Sequence, residues 1–433
     1  MIKGISYTMV FEAPALNHDD KLGGSVIPIK KIARPNGTYS YYSKQAIRHY
    51  LFTALNYFDN ELWQEAPIAL VGEEKKKKVI QFDFPEANII EYPEIDLFGF
   101  MYTANENPTR KAPLGITRAI ALEPWQGDTS FGANHDLVRR LNSQGSDNSE
   151  NLATPDPFTK EENISLFKVT FTLDLCRFGY QECYFKNPPK KDSSKEKKLS
   201  AIEKIRNKLE NMKRNKFAEA SNFKNVKEKC STCFYLERLE KEIEKIQPEK
   251  SKKATKGEKK DAVWTMICNS DGGNLGFVGE IQREKTMVCF IVTDEEKEKR
   301  LKSLIEVLTS GLILQVHEKA DVNAQFKAIS LLKVPVSVMH DAIVIDRMGR
   351  LSLDDLMYGI KNCYIQNIYL DIKPDMEKKM KEGFLEEPLR EDKNKLDKFN
   401  DLNCPIDTKK IGEIVDLCLG KKPQEGQKEP TDG

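Results

Sequence analysis

The chain has 433 residues, 39% of them hydrophobic and 31% charged, and its 68 Lys and Arg against 67 Asp and Glu leave a formal net charge of +1. That much apolar material builds one sizeable core with large polar insertions. A near-neutral balance excludes a protein that grips nucleic acid through a uniformly basic surface, so any such contact has to be a local patch.

Ile5, Tyr7, Met9 and Phe11 alternate along the first segment and predict a strand with one buried face. Lys3 and Glu12 interrupt its apolar run, so a signal peptide is not expected there. No stretch of about eighteen apolar residues occurs, which argues against a membrane-spanning helix. Nine scattered cysteines suit a reducing compartment, where they pack as small hydrophobes; the expectation is a cytoplasmic protein without structural disulfides.

A polar loop at 17–24 leads toward Ser43, a good N-cap. Ala46, Ile47, Tyr50, Leu51, Ala54 and Leu55 then follow at helical spacing. The helix start leaves backbone amides and the positive end of the dipole facing outward, with Lys44, Gln45 and Arg48 on the polar side, an arrangement suited to a phosphate. An ordinary surface helix satisfies the same pattern, and that segment alone favours it. Arg110, Lys111 and Arg118 follow a Leu97-Phe98-Gly99-Phe100-Met101 stretch, with Trp125 soon after. Guanidinium forks grip phosphates, and an aromatic ring stacks on an unpaired base for about 1–3 kcal/mol. The competing possibility pairs Arg118 with Glu123 and places Trp125 in the core.

Phe167, Val169, Phe171 and Leu173 alternate with polar partners and predict a half-buried strand. Between Lys186 and Lys260 there are twenty-four Lys and Arg against twelve Asp and Glu, so the basic charge is concentrated there. Ile202, Ile205, Leu209 and Met212 form one helical stripe, and Phe234, Leu236, Leu239, Ile243 and Ile246 another; two helices in a hairpin would bury them against each other. Cys230 and Cys233 form a lone Cys-x-x-Cys, and without a second pair buried thiols are favoured over a zinc site. Asp271 to Gly276 is glycine-rich but matches neither a Walker loop nor a dinucleotide fingerprint, and reads as a turn. Met287 to Thr293 is apolar on both faces and predicts a central strand. Leu301, Leu304, Ile305 and Leu308 mark a helix, Val334 to Ile345 a strand, Ser352 with Asp355 a helix start, and Tyr364 to Ile372 the last core strand. Ser251–Lys260 and Lys421–Gly433 have little to bury and are expected to be mobile.

Helices interleaved with strands at these separations predict an α+β fold with helices on one face of the sheet, the ferredoxin-like arrangement, although the pattern leaves strand order open.

Taken in order, the segment from Ile2 to Ala13, the turn from Ser43 to Arg48, Leu97 to Met101 and Arg110 to Pro124 resemble the DevR-type RAMP family, the backbone subunits of CRISPR Cascade complexes, type I-B-like. The resemblance covers 1 to about 175, and 285 to about 372 more loosely. It implies an RRM-like palm (1–60, 165–175 and 285–372), a finger region (61–164), a thumb region (176–284) carrying the Lys-rich insertion 186–260, and a polar extension (391–433). It also implies that Lys44, Gln45, Arg48, Arg110, Lys111 and Arg118 hold a CRISPR guide RNA without reading its sequence, presenting it to target DNA. Other copies of the chain and other Cascade subunits would be its partners, with no membrane, cofactor or metal. Relatives that cut RNA carry a catalytic aspartate in the loop after the first strand. Asp19 and Asp20 therefore keep a metal-dependent ribonuclease open as the alternative, as does guide processing, for which His49 is the helix-start candidate. A third possibility is a regulatory role in which the basic insertion binds another partner.

Overall fold

The structure is a computed structural model describing residues 1–18, 26–71, 78–103, 108–143, 154–186, 200–245, 262–282, 285–313, 321–322, 324–344, 350–378 and 399–421. Asp19, Asp20, 251–260 and 422–433 lie outside the described residues. The fold is mixed α and β, built on two main antiparallel sheets.

At the centre of the larger sheet, the strand Gly4–Pro14 pairs with Ile164–Asp174 on one side, Tyr7 opposite Phe171, and with Ala324–Leu332 on the other, Tyr7 opposite Ile329. Ile164–Asp174 then pairs with Leu114–Ile116 and Ala119–Ala121, followed outward by Gly37–Tyr42 and Lys31–Arg34. Ile365–Ile372 closes the opposite edge. The predicted alternation of the first strand is obeyed: Ile5, Tyr7, Met9 and Phe11 face the same side as Phe167, Val169, Phe171 and Leu173. Two helices cover that side, Lys44–Phe58 through Ile47, Leu51 and Leu55, and Asp294–Ser310 through Leu301, Leu304 and Leu308. Each starts where its cap predicts. The Ala46 amide donates to the Ser43 hydroxyl at 3.2 Å, and Thr293 caps a first turn holding Asp294, Glu295 and Glu296, which complement the dipole. The Tyr7 hydroxyl donates to the Leu308 carbonyl at 2.8 Å, tying helix to sheet.

Helices on one face only does not hold. The second face is covered by the helices Val338–Ala342 and Leu353–Ile360, whose Met339, Leu353, Leu356 and Met357 pack on Val10, Phe326 and Ala328. The strand expected at Val334–Ile345 is absent. Pro335 has no N–H for a ladder, and the chain turns into the short helix instead. The strand that takes its place, Ala324–Leu332, is buried on both faces with Ala and Ser among its side chains, so its alternation is masked.

A polar seam holds this cover down. Thr8 and Thr170 are linked at 2.9 Å, Thr170 and His340 Nδ1 at 2.9 Å, and Thr172 and Ser337 at 2.8 Å; the Lys168 ammonium donates to the carbonyls of His340 (2.6 Å) and Ile343 (2.9 Å). Burial brings Lys168 down to about 8. Burial first, then the Lys168 charge, brings His340 down to about 4, with Arg34 acting in the same direction and Asp341 opposing. A histidine kept neutral in the fold contributes stability that is present above its unfolded value near 6.5 and lost as pH falls through 4. His340→Gln should therefore remove about 1–2 kcal/mol of the acid-induced loss between pH 7 and pH 4, solvent screening of the partly exposed ring reducing the full linkage value, read as the change in urea-unfolding free energy. Equal pH dependence in the two proteins would contradict it.

The second sheet runs Tyr180–Lys186, Lys285–Val292, Asn274–Ile281, Ala262–Cys268, Ala218–Ser221. The strand expected at Met287–Thr293 thus lies here and not in the larger sheet. Its two apolar faces are explained equally well by burial between two clusters of this unit. The two stripes of the Lys-rich region do form helices, Ala201–Arg214 and Leu236–Glu244, but not a hairpin. Ile202 and Ile205 pack with Val278 and Phe290 on one face of the sheet, and Leu239 and Ile243 with Trp264 and Phe277 on the other. Of Asp271–Gly276, only 271–273 form the turn between two strands, with Gly272 at φ +81°, and Asn274–Gly276 already begin the second strand. All nine cysteines are free thiols, and burial raises both Cys230 and Cys233.

Two boundaries shift. Leu114–Ile116 and Ala119–Ala121, placed in the finger region, belong to the central sheet. The segment expected to be a polar extension contains the helix Thr408–Cys418, whose Ile411, Ile414 and Val415 pack into the main core. Among the described residues no helix is long and apolar enough to cross a membrane.

Candidate nucleic-acid interface

The strand Gly37–Tyr42 delivers the chain to the helix start. Tyr42 is buried under that helix, the Ser43 amide donates to Asn17 Oδ1 at 2.8 Å, and Lys44 and Gln45 are exposed on the first turn. Arg48 lies one turn further on the same face as Lys44. Its guanidinium is 3.7 Å from Glu94 and 4.8 Å from the Phe98 ring, and its side chain keeps 39% of its surface in solvent. Burial lowers Arg48 and raises Glu94, and their pairing works against both shifts.

Arg118 lies at the same end of the sheet but on its Tyr41 side, away from the helix that covers Tyr42. Ala119 pairs with Tyr42 and Ile120 with Tyr41, so Arg118 stands one step past the ladder, level with Ser43. It is exposed, with its guanidinium carbon 5.1 Å from the centre of the Tyr41 ring. The alternative Arg118–Glu123 pair does not form; Glu123 accepts from the Ser165 hydroxyl at 3.0 Å.

Arg110 does not reach the helix start, and this corrects its assignment as a surface contact. Its side chain is 4% exposed and 2.5 Å from the fully buried Asp96. It also donates to the carbonyls of Asp96 (3.0 Å), Arg177 (3.0 Å) and Tyr180 (2.6 Å), which leaves no face for a phosphate. Asp96 accepts in addition from Arg300 and from the Gly179 amide, at 3.3 and 3.0 Å. Gly99 in the Phe-Gly-Phe turn serves the same node: at φ +67°, a Cβ there would stand 2.4 Å from the Arg110 carbonyl. Lys111 is exposed, but beyond the Leu114–Leu173 pair, toward the opposite end of the strand from Arg118.

Trp125 belongs to the scaffold. The Lys31 ammonium sits 3.7 Å from its ring centre and is itself held by Glu161 at 2.6 Å, so that ring face is already covered. Tyr41 was not anticipated, because its position beside Arg118 depends on a strand pairing between residues nearly eighty apart in sequence. His49 is exposed and lies against Tyr50, with ring centres 5.8 Å apart. No cluster of three His, Cys, Asp or Glu side chains suited to a metal occurs among the described residues. Among the described residues of the basic insertion, several cations are paired, as in Arg206–Glu280, Lys208–Glu91 and Lys227–Glu240.

Residues 5–346 match the family model described as CRISPR-associated negative auto-regulator DevR/Csa2. The chain belongs to the DevR/Csa2 family. In this DevR/Csa2 protein the matched span contains all six residues singled out above, while the edge strand Ile365–Ile372 and the helix Thr408–Cys418 lie beyond it. Two solved structures are among those similar to the chain. A CRISPR RNA-guided surveillance complex, pre-nicking, has 8% identity and TM-score 0.46, covering 96% of this chain and 100% of that one. A second CRISPR RNA-guided surveillance complex has 7% identity and TM-score 0.38, covering 85% and 87%. No curated protein matches the chain.

Proposed function

We propose that this DevR/Csa2 protein is the repeating backbone subunit of a type I Cascade complex, working in the cytoplasm and holding the spacer part of a guide RNA without reading its sequence. The observation that carries this is the exposure of Lys44 and Gln45 on the first turn of a helix capped by Ser43, while Arg110 turns inward. Contacts of that kind fix a strand by phosphate and sugar and carry no base information, as a guide of arbitrary sequence requires. Target DNA is then selected by pairing with the guide, while the protein maintains geometry.

The strand order supports an RRM-like palm. Taking Leu114–Ala121 as one broken strand, the order Ala324–Leu332, Gly4–Pro14, Ile164–Asp174, Leu114–Ala121, with Lys44–Phe58 and Asp294–Ser310 as connecting helices, follows the ferredoxin-like βαββαβ scheme. In this role the protein binds and presents rather than cuts, and its partners are the guide RNA, further copies of itself and other Cascade subunits. Purification of the native complex should yield RNA of uniform length carrying several copies of this chain. A particle without RNA, or with a single copy, would refute the assignment.

A further inference from the structure

We infer that Arg118, braced on Tyr41, is a stacking platform for one unpaired base of the bound strand and not a further phosphate clamp, an inference that rests on the RNA-binding role proposed above. Three features taken together separate Arg118 from Lys44, Arg48 and Arg110, and the exposed Arg34, 5.6 Å from the Tyr39 ring centre, resembles it on the neighbouring strand. The Arg118 guanidinium lies over an aromatic ring within cation–π reach, at 5.1 Å, whereas Lys44 is simply exposed. Among the described residues it has no carboxylate partner, unlike Arg48 with Glu94 and Arg110 with Asp96. It is exposed while Tyr41 is half-buried, so the ring supports the guanidinium from inside and solvent bathes it from outside.

The support is rigid. Tyr41 pairs with Ile120 across the ladder, and its amide donates to the Lys30 carbonyl at 3.0 Å, so the backbone that carries the ring is fixed on both sides. A planar guanidinium fixed in this way presents a flat π-face, which unpaired bases stack on as they do on aromatic rings. The register sets that face level with Ser43, at the same end of the strand as the helix start but on the opposite side of the sheet. Stacking is tolerant of base identity because every base has a π-face, so the platform adds affinity without reading sequence.

Arg118→Lys separates the two roles, since it keeps the charge and loses the plane. Binding of the full-length chain to mixed-sequence single-stranded RNA, with 2-aminopurine moved stepwise along it, is the test. Arg118→Lys should weaken binding about tenfold, leave the salt slope unchanged, and relieve fluorescence quenching at one register. Tyr41→Leu should weaken binding in the same direction as Arg118→Lys, with the double variant little worse than either because the two act as one unit. Unchanged affinity and quenching in Arg118→Lys, beside a wild-type protein that binds, overturns this inference alone. Wild-type protein that binds none of these RNAs overturns the inference together with the RNA-binding role. Thermal melts of each variant separate lost binding from lost folding.

Discussion

Asp96→Ala should destabilise the protein by about 3–5 kcal/mol, because it strands two buried cations at once. The Asp96 carboxylate is fully buried and accepts from Arg110, Arg300 and the Gly179 amide, and the Arg110 and Arg300 side chains are themselves 4% and 1% exposed. Arg300 keeps Glu296 at 2.9 Å and the carbonyls of Ile89 and Ile90, but Arg110 would keep only backbone carbonyls. Asp96→Asn retains shape and an acceptor and should cost less than Asp96→Ala. Chemical denaturation followed by tryptophan fluorescence measures both, and a loss below about 1 kcal/mol in the alanine variant would show that the cluster does not act as described. Because the cluster joins the helix Asp294–Ser310, the segment before Gly99 and the first strand of the second sheet, its loss should loosen the second sheet from the central one. Two separated transitions in place of one would reveal that.

The second large effect concerns binding. Lys44→Ala combined with Arg48→Gln should weaken guide RNA binding by tenfold or more at moderate salt, equally for unrelated sequences. The slope of log affinity against log salt should fall by about 0.7 for each phosphate contact removed from a single strand, hence by about 1.4. Gln at 48 can still lie along Phe98, which limits the structural cost of freeing Glu94. Unchanged affinity, or a loss confined to particular sequences, would remove the helix start from the interface.

What was legible in the sequence had local causes. Alternation in the first strand, the Ser43 and Ser352 caps and the stripe from Leu301 to Leu308 each depend on residues within a few positions of one another, and each appears where expected. Arg110 reads as a surface cation because its burial is decided by Asp96, fourteen positions earlier, and by the backbone carbonyls of Arg177 and Tyr180. Nothing in the run Arg110 to Arg118 distinguishes the inward guanidinium from the outward one. The strand Lys285–Val292 was recognised as two-sided but given to the wrong sheet, since burial on both faces reports sandwiching and not the identity of the neighbours. The two helical stripes of the basic region were found, and their partners were not, because a five-stranded sheet lies between them.

The second sheet is tied to the central unit where its strands enter and leave. The chain leaves the central sheet at Asp174 and returns at Thr293. There the Val292 amide donates to the Gly179 carbonyl at 2.9 Å, and Tyr180 pairs with Ile291. Incoming and outgoing strands are thus stapled together at the root, whatever their total contour length. Since closing a longer loop adds only about 0.6 kcal/mol for each doubling, this geometry makes the unit a socket. Its distal parts can be extended, trimmed or exchanged while the root keeps the central sheet in register.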